Sequence, residues 1–262
     1  MAASDQSAPT NEQKDGSPEL SVVVPVHNEA ENIAPQIAEI QAALDGVCNF
    51  EIVYVDDGSS DATLERLRGC ATTVPQLKIV RHLDCAGQSA SIVSGVRTAK
   101  APLIATLDGD RQNDPADIPR LLKAMQEEAD QDSLLIAGHR ARRRDTWVKK
   151  MSSKVANGVR STLLGDKTPD TGCGLKIFTR KTFLEMPAFD HMHRFLPALM
   201  IRQGGRVVSV PVNHRPRQQG ISKYGLFDRL WVGISDLFGV MWLQRRACHP
   251  IVEQEADRRH DT

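Results

Sequence analysis

The 262-residue chain has no uninterrupted apolar stretch near the roughly 18 to 20 residues that a membrane-spanning helix needs. It also has no excess of charge of either sign, because 33 Lys and Arg residues are matched by 33 Asp and Glu residues. A chain without an overall positive field is not expected to recruit nucleic acid. We therefore expect a protein that works from the aqueous side of any membrane it meets, without a nucleic-acid partner.

Cysteine and signal sequences are equally sparse. The five cysteines form no CxxC pair and have no histidine at a spacing suited to zinc, which favours reduced thiols and a cytoplasmic location. Residues 1–18 are small and polar and lack the apolar core of a signal peptide, so we expect a disordered tail there. No internal repeat and no linker rich in Pro, Gly or Ser divides the remainder.

Short β-branched runs alternate with segments of helical periodicity through the first half of the chain. This alternation is typical of βαβ units and predicts an α/β fold with a mainly parallel, Rossmann-like sheet. The predicted strands are 20–26, 51–55, 77–81, 103–107 and 134–138, and the predicted helices are 29–44, 60–67, 89–99 and 118–128. After residue 138 we expect a basic helical segment at 146–164, a loop into a strand at 170–178, a mainly helical stretch at 183–200 and a strand at 205–212.

The stretch LDGDRQNDP places Asp108 and Asp110 one residue apart at the end of an apolar run. Such a pair is often only a turn with solvated or capping carboxylates. At the carboxyl edge of an open α/β sheet, where ligands bind, two fixed carboxylates also suit a hard divalent cation and the diphosphate that accompanies it. The sequence leaves both interpretations open at this point.

A second acidic loop, VDDGSSD, follows the second predicted strand and carries Asp56 and Asp57. Its simplest interpretation is a turn that leads into a helix capped by Ser59 or Ser60. Because it lies at the same sheet edge as LDGDRQNDP, it could instead hold the base or ribose of a nucleotide. A basic run, HRARRRD at 139–145, is either a solvated loop or a site for a phosphate or an anionic lipid.

Taken together, the motifs resemble one family. In order they are PVHNEAENI, VDDGSSDAT, HLDCAGQSASIVSGVRTA, LDGDRQNDP, the Gly138-His139-Arg140 strand end, DTGCGLKIF and HRPRQQGISKYG. They resemble the inverting nucleotide-sugar glycosyltransferases of the GT-A fold, and more narrowly the polyprenyl-phosphate branch typified by dolichol-phosphate mannosyltransferase. The resemblance covers about residues 19–248 and implies metal-dependent transfer of a sugar from a nucleotide donor to a polyprenyl phosphate of dolichyl or undecaprenyl type.

The resemblance also implies roles for individual residues. Those expected to bind the nucleotide sugar are Pro25, Val26, Glu29, Asp56, Asp57, Gln88, Asp108, Arg217 and Lys223. Those expected to hold Mg²⁺ or Mn²⁺ are Asp108, Asp110 and Gln112, and those expected around the acceptor phosphate are Arg140, Lys149, Ser153 and Ser222. The implied catalytic residues are Asp108, Asp110, Asp170 and Arg217. Lys149 stands where relatives commonly have Arg, which removes a bidentate donor.

The acceptor determines how much base catalysis is needed. A lipid phosphate has a second pKa of about 6 and arrives largely deprotonated, so positioning two anions matters more than removing a proton. We therefore expect Asp170 to bind a sugar hydroxyl rather than to act as an obligatory base. His193 and Arg194 either face the acceptor or end a helix with ordinary surface polarity.

The final segment, 224–248, is predicted to be an amphipathic helix that follows a GT-A domain at 19–223 and precedes a polar tail at 249–262. Its apolar residues at helical spacing are Phe227, Trp231, Ile234, Phe238, Met241 and Trp242. It could lie in a membrane interface or pack on the core or on a partner subunit. We expect a peripheral enzyme on the cytoplasmic face of a membrane, with a separate membrane subunit as one arrangement. The rival functions are a GT-A transferase with a saccharide acceptor and a non-catalytic nucleotide-sugar-binding subunit. A processive synthase is disfavoured because no QxxRW motif is present.

Overall fold

The computed structural model describes residues 16–140, 158, 160–166, 168–215 and 226–246, with only the backbone for 226–232. Within these residues, seven strands form one sheet in the order β3-β2-β1-β4-β6-β5-β7. The strands are β1 Leu20–Val26, β2 Phe50–Asp57, β3 Leu77–His82, β4 Leu103–Thr106, β5 Leu134–Arg140, β6 Lys176–Thr179 and β7 Arg206–Val212. β6 runs antiparallel to β4 and β5, and the remaining pairs are parallel. The prediction of a mainly parallel α/β sheet is confirmed.

Helices cover both faces of the sheet. They are α1 Ile33–Leu44, α2 Thr63–Ala71, α3 Gln88–Thr98, α4 Ile118–Gln126, α5 Arg180–Leu184, α6 Leu196–Arg202 and α7 Leu226–Arg245, with 3₁₀ turns at Ala30–Asn32, Pro115–Asp117 and Met192–Arg194. Alternate residues of β1 belong to opposite cores: Val22 lies in the core that includes residues of α1 and α4, and Val23 in the core that includes residues of α3 and α6. Because both faces are covered, the strands read as continuous apolar runs.

Two predicted helix boundaries were wrong. α2 begins at Thr63 without a side-chain cap at its N-cap residue, and the hydroxyl of Ser59 instead accepts a hydrogen bond from Asn28 N at 2.9 Å. The Ser60 N–H likewise donates to the Asn28 side chain at 2.8 Å. Ser59 and Ser60, which were predicted to cap α2, therefore join the loop after β1 to the loop after β2 instead.

The stretch 183–200, predicted to be mainly helical, contains the end of one helix, a 3₁₀ turn and most of a second helix. α5 ends at Leu184 and α6 begins only at Leu196. Pro187 follows the first helix, and His191 adopts a left-handed φ of 63° before the 3₁₀ turn. A proline and a left-handed residue both interrupt helical hydrogen bonding. The predicted basic helix at 146–164 lies mostly outside the described residues, although residues 160–164 are helical.

The reversed strand β6 determines which loops meet. Because β6 is antiparallel, its first residue lies at the edge where β1, β2 and β4 end. The loop that precedes β6 therefore reaches the Asp108 loop, and Thr106 Oγ1 donates to Gly174 O at 2.6 Å. A Cβ at Gly174 would overlap the Asp108 carboxylate, so only glycine fits there without a shift.

The C-terminal helix α7 packs one side on the protein and exposes the other. Val240 is buried in the second core, and Arg202 Nε donates to Leu243 O at 2.9 Å. Phe238 and Trp242 are 62% and 60% exposed. Across the part of the chain that the structure describes, no helix is long and apolar enough to cross a membrane.

Candidate functional site

A cavity of about 660 Å³ opens at the carboxyl edge of the sheet. Its walls are formed by residues within the segments 25–29, 57, 85–92, 106–112, 171–176 and 193–196. This is the position at which open α/β folds bind ligands. The structure thus brings most of the predicted motifs to one place.

The first wall joins the loop after β1 to the loop after β2. His27 Nδ1 lies 2.6 Å from Asp57 O, and Glu29 N donates to Thr63 Oγ1 at 2.9 Å. Asn28 adopts a left-handed φ of 56°, which aims its side-chain oxygen at the second loop. Pro25, Val26 and Glu29, predicted to bind the nucleotide, therefore line the cavity in a loop held by hydrogen bonds.

Asp57 lines the cavity and holds the neighbouring loop in place. Its carboxylate accepts hydrogen bonds from Ala86 N at 2.9 Å, Gly87 N at 2.8 Å and Cys85 Sγ at 3.3 Å, and lies 2.7 Å from His82 Nδ1. Burial alone would raise the pKa of Asp57, but these hydrogen bonds hold it below its usual value. The carboxylate therefore stays ionised and keeps the 82–87 loop against β2.

Asp56 differs from its neighbour. It is fully buried and does not contribute to the cavity wall. Its Oδ1 accepts a hydrogen bond from Ser59 N at 3.2 Å, and its Oδ2 is buried without a hydrogen-bond partner among the described residues. A buried acceptor without a donor is costly. Asp56, predicted to bind the nucleotide, therefore lies behind the cavity wall and does not face the cavity.

Asp108 lines the cavity and is partly buried by the surrounding protein. Gln88 Nε2 donates to its Oδ1 at 2.8 Å, and Gln36 Nε2 donates to its backbone carbonyl at 2.8 Å. Burial, followed by repulsion from Asp110, raises the pKa of Asp108 to about 6, although Lys176 opposes this effect. A positive charge in addition to that of Lys176 would reduce the repulsion between the carboxylates of Asp108 and Asp110.

The donor set here fits a hard divalent cation. Asp108 and Asp110 supply carboxylate oxygens, and Gln112, which also lines the cavity, supplies an amide oxygen. Gln112 N donates to Asp110 Oδ1 at 3.1 Å, which fixes the turn. In the described segments, no group of three His, Cys, Asp or Glu side chains could hold a metal ion. The third predicted ligand, Gln112, offers an amide oxygen.

A second set of contacts lies beside the predicted metal ligands. Arg215 N donates to Gln112 O at 2.9 Å, and Asn113 forms an isolated antiparallel bridge with His214. Glu39 on α1 accepts hydrogen bonds from both Arg111 and Arg215. The segment 213–215 is thereby fastened beside the predicted metal ligands.

Arg140 and Asp170 form a bidentate ion pair. Arg140 Nε and Nη2 donate to the two carboxylate oxygens at 2.6 and 2.7 Å, and the two side chains are only 12% and 8% exposed. Arg140 was predicted to bind the acceptor phosphate and Asp170 a sugar hydroxyl. In the structure these two side chains bind each other. Asp170 does not line the cavity, whereas its neighbours Thr171 and Gly172 do.

Sequence reasoning missed Lys176, although it interrupts the apolar run LKIF. Its side chain is buried at the cavity wall and donates to Cys173 O, and burial lowers its pKa. His193 and Arg194, left as alternatives from the sequence, both line the cavity. Cys85 also lines it, and the cysteines at 48, 70, 85 and 173 are free thiols.

Several predicted site residues cannot be placed. Lys149, Ser153, Arg217, Ser222 and Lys223 lie outside the residues that the structure describes. Their roles stay predictions.

Comparison with known proteins gives concordant results. The glycosyl transferase family 2 profile matches residues 21–186. The dodecaprenyl-phosphate galacturonate synthase of Rhizobium johnstonii is 37% identical over 242 residues, covering 88% of this chain and 69% of that protein. The undecaprenyl-phosphate 4-deoxy-4-formamido-L-arabinose transferase of Edwardsiella ictaluri is 36% identical over 210 residues, covering 79% of this chain and 63% of that protein. The chain thus spans about two-thirds of the length of these relatives.

Solved structures agree on the fold. The mannosyltransferase PcManGT from Pyrobaculum calidifontis, in complex with GDP-Man and Mn²⁺, superposes with a TM-score of 0.61 at 20% identity, covering 93% of this chain and 69% of that one. Glucosyl-3-phosphoglycerate synthase from Mycobacterium tuberculosis, with Mn²⁺, UDP and its product, gives 0.62 at 14% identity, covering 88% of this chain and 81% of that one. The predicted GT-A fold is confirmed, and the chain belongs to glycosyl transferase family 2.

Proposed function

We propose that this glycosyltransferase moves a sugar from a nucleotide-sugar donor to a polyprenyl phosphate with inversion at the anomeric carbon. One observation carries the proposal: the Asp57 loop and the Asp108-Asp110 pair line one cavity, in a chain 37% identical to a dodecaprenyl-phosphate galacturonate synthase. The cavity is large enough to hold a small ligand, since such sites commonly measure about 300 to 1,000 Å³.

The nucleotide is proposed to bind between the loops after β1 and β2. The placement is supported by Pro25, Val26 and Asp57, which line the cavity in these two loops. Glu29, Asp57 and Gln88 line the same cavity. Hydrogen bonds already hold both loops, so binding requires little ordering of the protein.

The diphosphate is proposed to lie over Asp108, Asp110 and Gln112, which would hold Mg²⁺ or Mn²⁺. When bound, the cation would neutralise negative charge that develops on the departing diphosphate. The protein's own contribution is to fix this donor set. Gln88 orients the Asp108 carboxylate, and the Gln112 backbone is fastened by Arg215.

The acceptor phosphate is proposed to bind near the end of β5, where Arg140 lies. The resemblance assigns the same role to Lys149, Ser153 and Ser222, and it expects Arg217 and Lys223 to bind the nucleotide sugar. A phosphate already carries its nucleophilic charge, so no strong base is needed. Because both carboxylate oxygens of Asp170 pair with Arg140, we assign this carboxylate to holding Arg140 rather than to removing a proton.

We further propose that the chain is a peripheral enzyme on the cytoplasmic face of a membrane, alone or with a membrane subunit, with α7 as the contact. The exposed Phe238 and Trp242 and the adjacent Arg246, which lies 5.9 Å from the Trp242 ring centroid, are the residue types that favour the lipid interface. Flotation with vesicles containing anionic lipid tests this. Loss of binding in Phe238→Ser with Trp242→Ser supports it, and absence of wild-type binding contradicts it.

The main experiment offers purified protein a panel of nucleotide sugars with undecaprenyl phosphate and either Mg²⁺ or Mn²⁺. The expected product is a polyprenyl-phosphate sugar identified by its mass, absent with EDTA and absent from Asp110→Ala protein. Transfer only to a saccharide acceptor would replace the proposal with its first rival. Donor binding without any transfer would favour a non-catalytic subunit.

A further inference from the structure

The short segment 86–89 connects three parts of the cavity. Its Ala86 and Gly87 N–H groups donate to Asp57, and its Gln88 side chain donates to Asp108. Its last residue, Ser89, lies 2.8 Å from His193 Nδ1. One rigid turn at the start of α3 therefore ties His193 to the nucleotide and diphosphate sides of the site.

The hydrogen bonds of Ser89 determine the form of the His193 ring. Ser89 Oγ accepts the His193 backbone N–H at 3.3 Å, so its own proton is available for Nδ1 of the same residue. If Nδ1 accepts that proton, a neutral ring carries its hydrogen on Nε2. Ser89 is 2% exposed, which protects this arrangement from water.

The surroundings keep the ring neutral. Burial, followed by the charges of Lys176, Arg194 and His191, lowers the pKa of His193 to about 3. A ring so hard to protonate is a weak base and does not serve as a cation for phosphate. It can still offer one N–H hydrogen bond to a neutral or anionic oxygen.

The position of His193 selects the ligand group. The nucleotide is proposed to occupy the wall made by the loops after β1 and β2, and the diphosphate the region of Asp108. His193 lines the same cavity as Lys176 and the 171–174 segment, and it meets α3 at Ser89 rather than the loops after β1 and β2. In a nucleotide sugar, the group beyond the diphosphate is the sugar.

We propose that His193 is a sugar-contacting specificity residue, whose Nε2–H donates to a ring substituent oxygen of the donor sugar, and that Ser89 is its positioning residue. The inference deepens the proposed function and rests on the donor being a nucleotide sugar. Because Ser89 belongs to the 86–89 segment, the distance between the sugar contact and the diphosphate site is fixed by the protein.

Calorimetric titration in the presence of Mn²⁺ tests the inference without any acceptor. The ligands are UDP-glucose, UDP-galacturonate and GDP-mannose, each paired with UDP or GDP. For a donor that binds, His193→Leu should weaken affinity about tenfold, which corresponds to one lost hydrogen bond of about 1.4 kcal/mol, while the matching diphosphate changes less than twofold. His193→Gln, which keeps an N–H near the Nε2 position, should recover most of the loss.

Ser89→Ala should act in the same direction with a smaller loss, and His193→Leu combined with Ser89→Ala should add little to the first variant. Thr98→Ala is the matched control, since its hydroxyl returns to Ser94 O on the outer end of the same helix. Equal losses for nucleotide sugar and diphosphate, no loss, or wild-type protein that binds UDP or GDP but no nucleotide sugar would each overturn the inference. Failure of the proposed function would appear separately, as donor binding without transfer to undecaprenyl phosphate.

Discussion

Replacing Asp170 by Asn should destabilise the protein, so the change in stability has to be measured before any change in activity is assigned to catalysis. Both carboxylate oxygens accept hydrogen bonds from Arg140, and Oδ2 also accepts the Arg140 backbone N–H at 3.2 Å. An asparagine keeps one acceptor and turns its amide hydrogens toward the guanidinium. Breaking a buried pair in this way costs about 3 kcal/mol, at the lower end of measured values because the pair is slightly exposed.

That loss should lower the melting temperature by about 6 to 12 °C for a domain of this size. Differential scanning fluorimetry of Asp170→Asn, Arg140→Gln and the double variant measures the loss and the coupling between the two side chains. Asp45→Asn, at an exposed position, serves as the control. The double variant should be less destabilised than the sum of the single variants.

The same proteins distinguish a structural role from a chemical one. If Asp170→Asn melts at the wild-type temperature, the proposed importance of the ion pair is refuted. If turnover then falls steeply while donor binding is unchanged, Asp170 acts as a base, contrary to our expectation.

Three further predictions concern the metal and nucleotide ends. Asp110→Ala should abolish transfer with less than 2 °C change in melting temperature, because its carboxylate lies at the cavity wall; retained transfer contradicts its role as a metal ligand. Since the pKa of Asp108 is raised to about 6, protons should compete with Mn²⁺ for its carboxylate. The affinity for Mn²⁺, measured by titration, should fall up to tenfold per pH unit below about 6, and Asp108→Asn should make this pH dependence weaker. The pKa of Asp57 is lowered in the folded protein, so the stabilising effect of its carboxylate is present above the ordinary value of 3.8 and is lost as pH falls through the folded value. The Asp57→Asn protein should therefore be less stable than wild type at pH 7 and should lose less stability on acidification. Equal acid sensitivity of the two proteins would contradict this.

Much of the fold could be predicted because strands and helices each leave a pattern in a short stretch of sequence. Strands buried on both faces give continuous apolar runs, and the alternating helices show their 3.6-residue period, so the elements from β1 to β5 were found in order. The direction of β6 could not be predicted, because a run such as LKIF looks the same in either orientation. Helix boundaries failed where Ser59, Ser60 and His191 made contacts that depend on distant segments.

The site was predictable as a set of motifs but not as a geometry. The sequence placed Asp57 and Asp108 at strand ends, and both line the cavity. Spacing alone could not show that Arg140 and Asp170, 30 residues apart, bind each other. Nor could it show that the buried Lys176 faces the cavity, since a lysine within a short strand is usually at a solvated edge.

The position of Glu39 has a consequence for how this site can vary. This carboxylate lies on α1, outside the cavity wall, yet it joins Arg111 and Arg215, which flank the metal end from two separate segments. The position of the segment 213–215, whose Arg215 N–H donates to Gln112 O, is therefore tied to a surrounding helix as well as to the sheet. Substitutions along α1 are expected to shift this segment while Asp108, Asp110 and Gln112 stay the same, so mutational searches for altered donor preference have reason to include this helix.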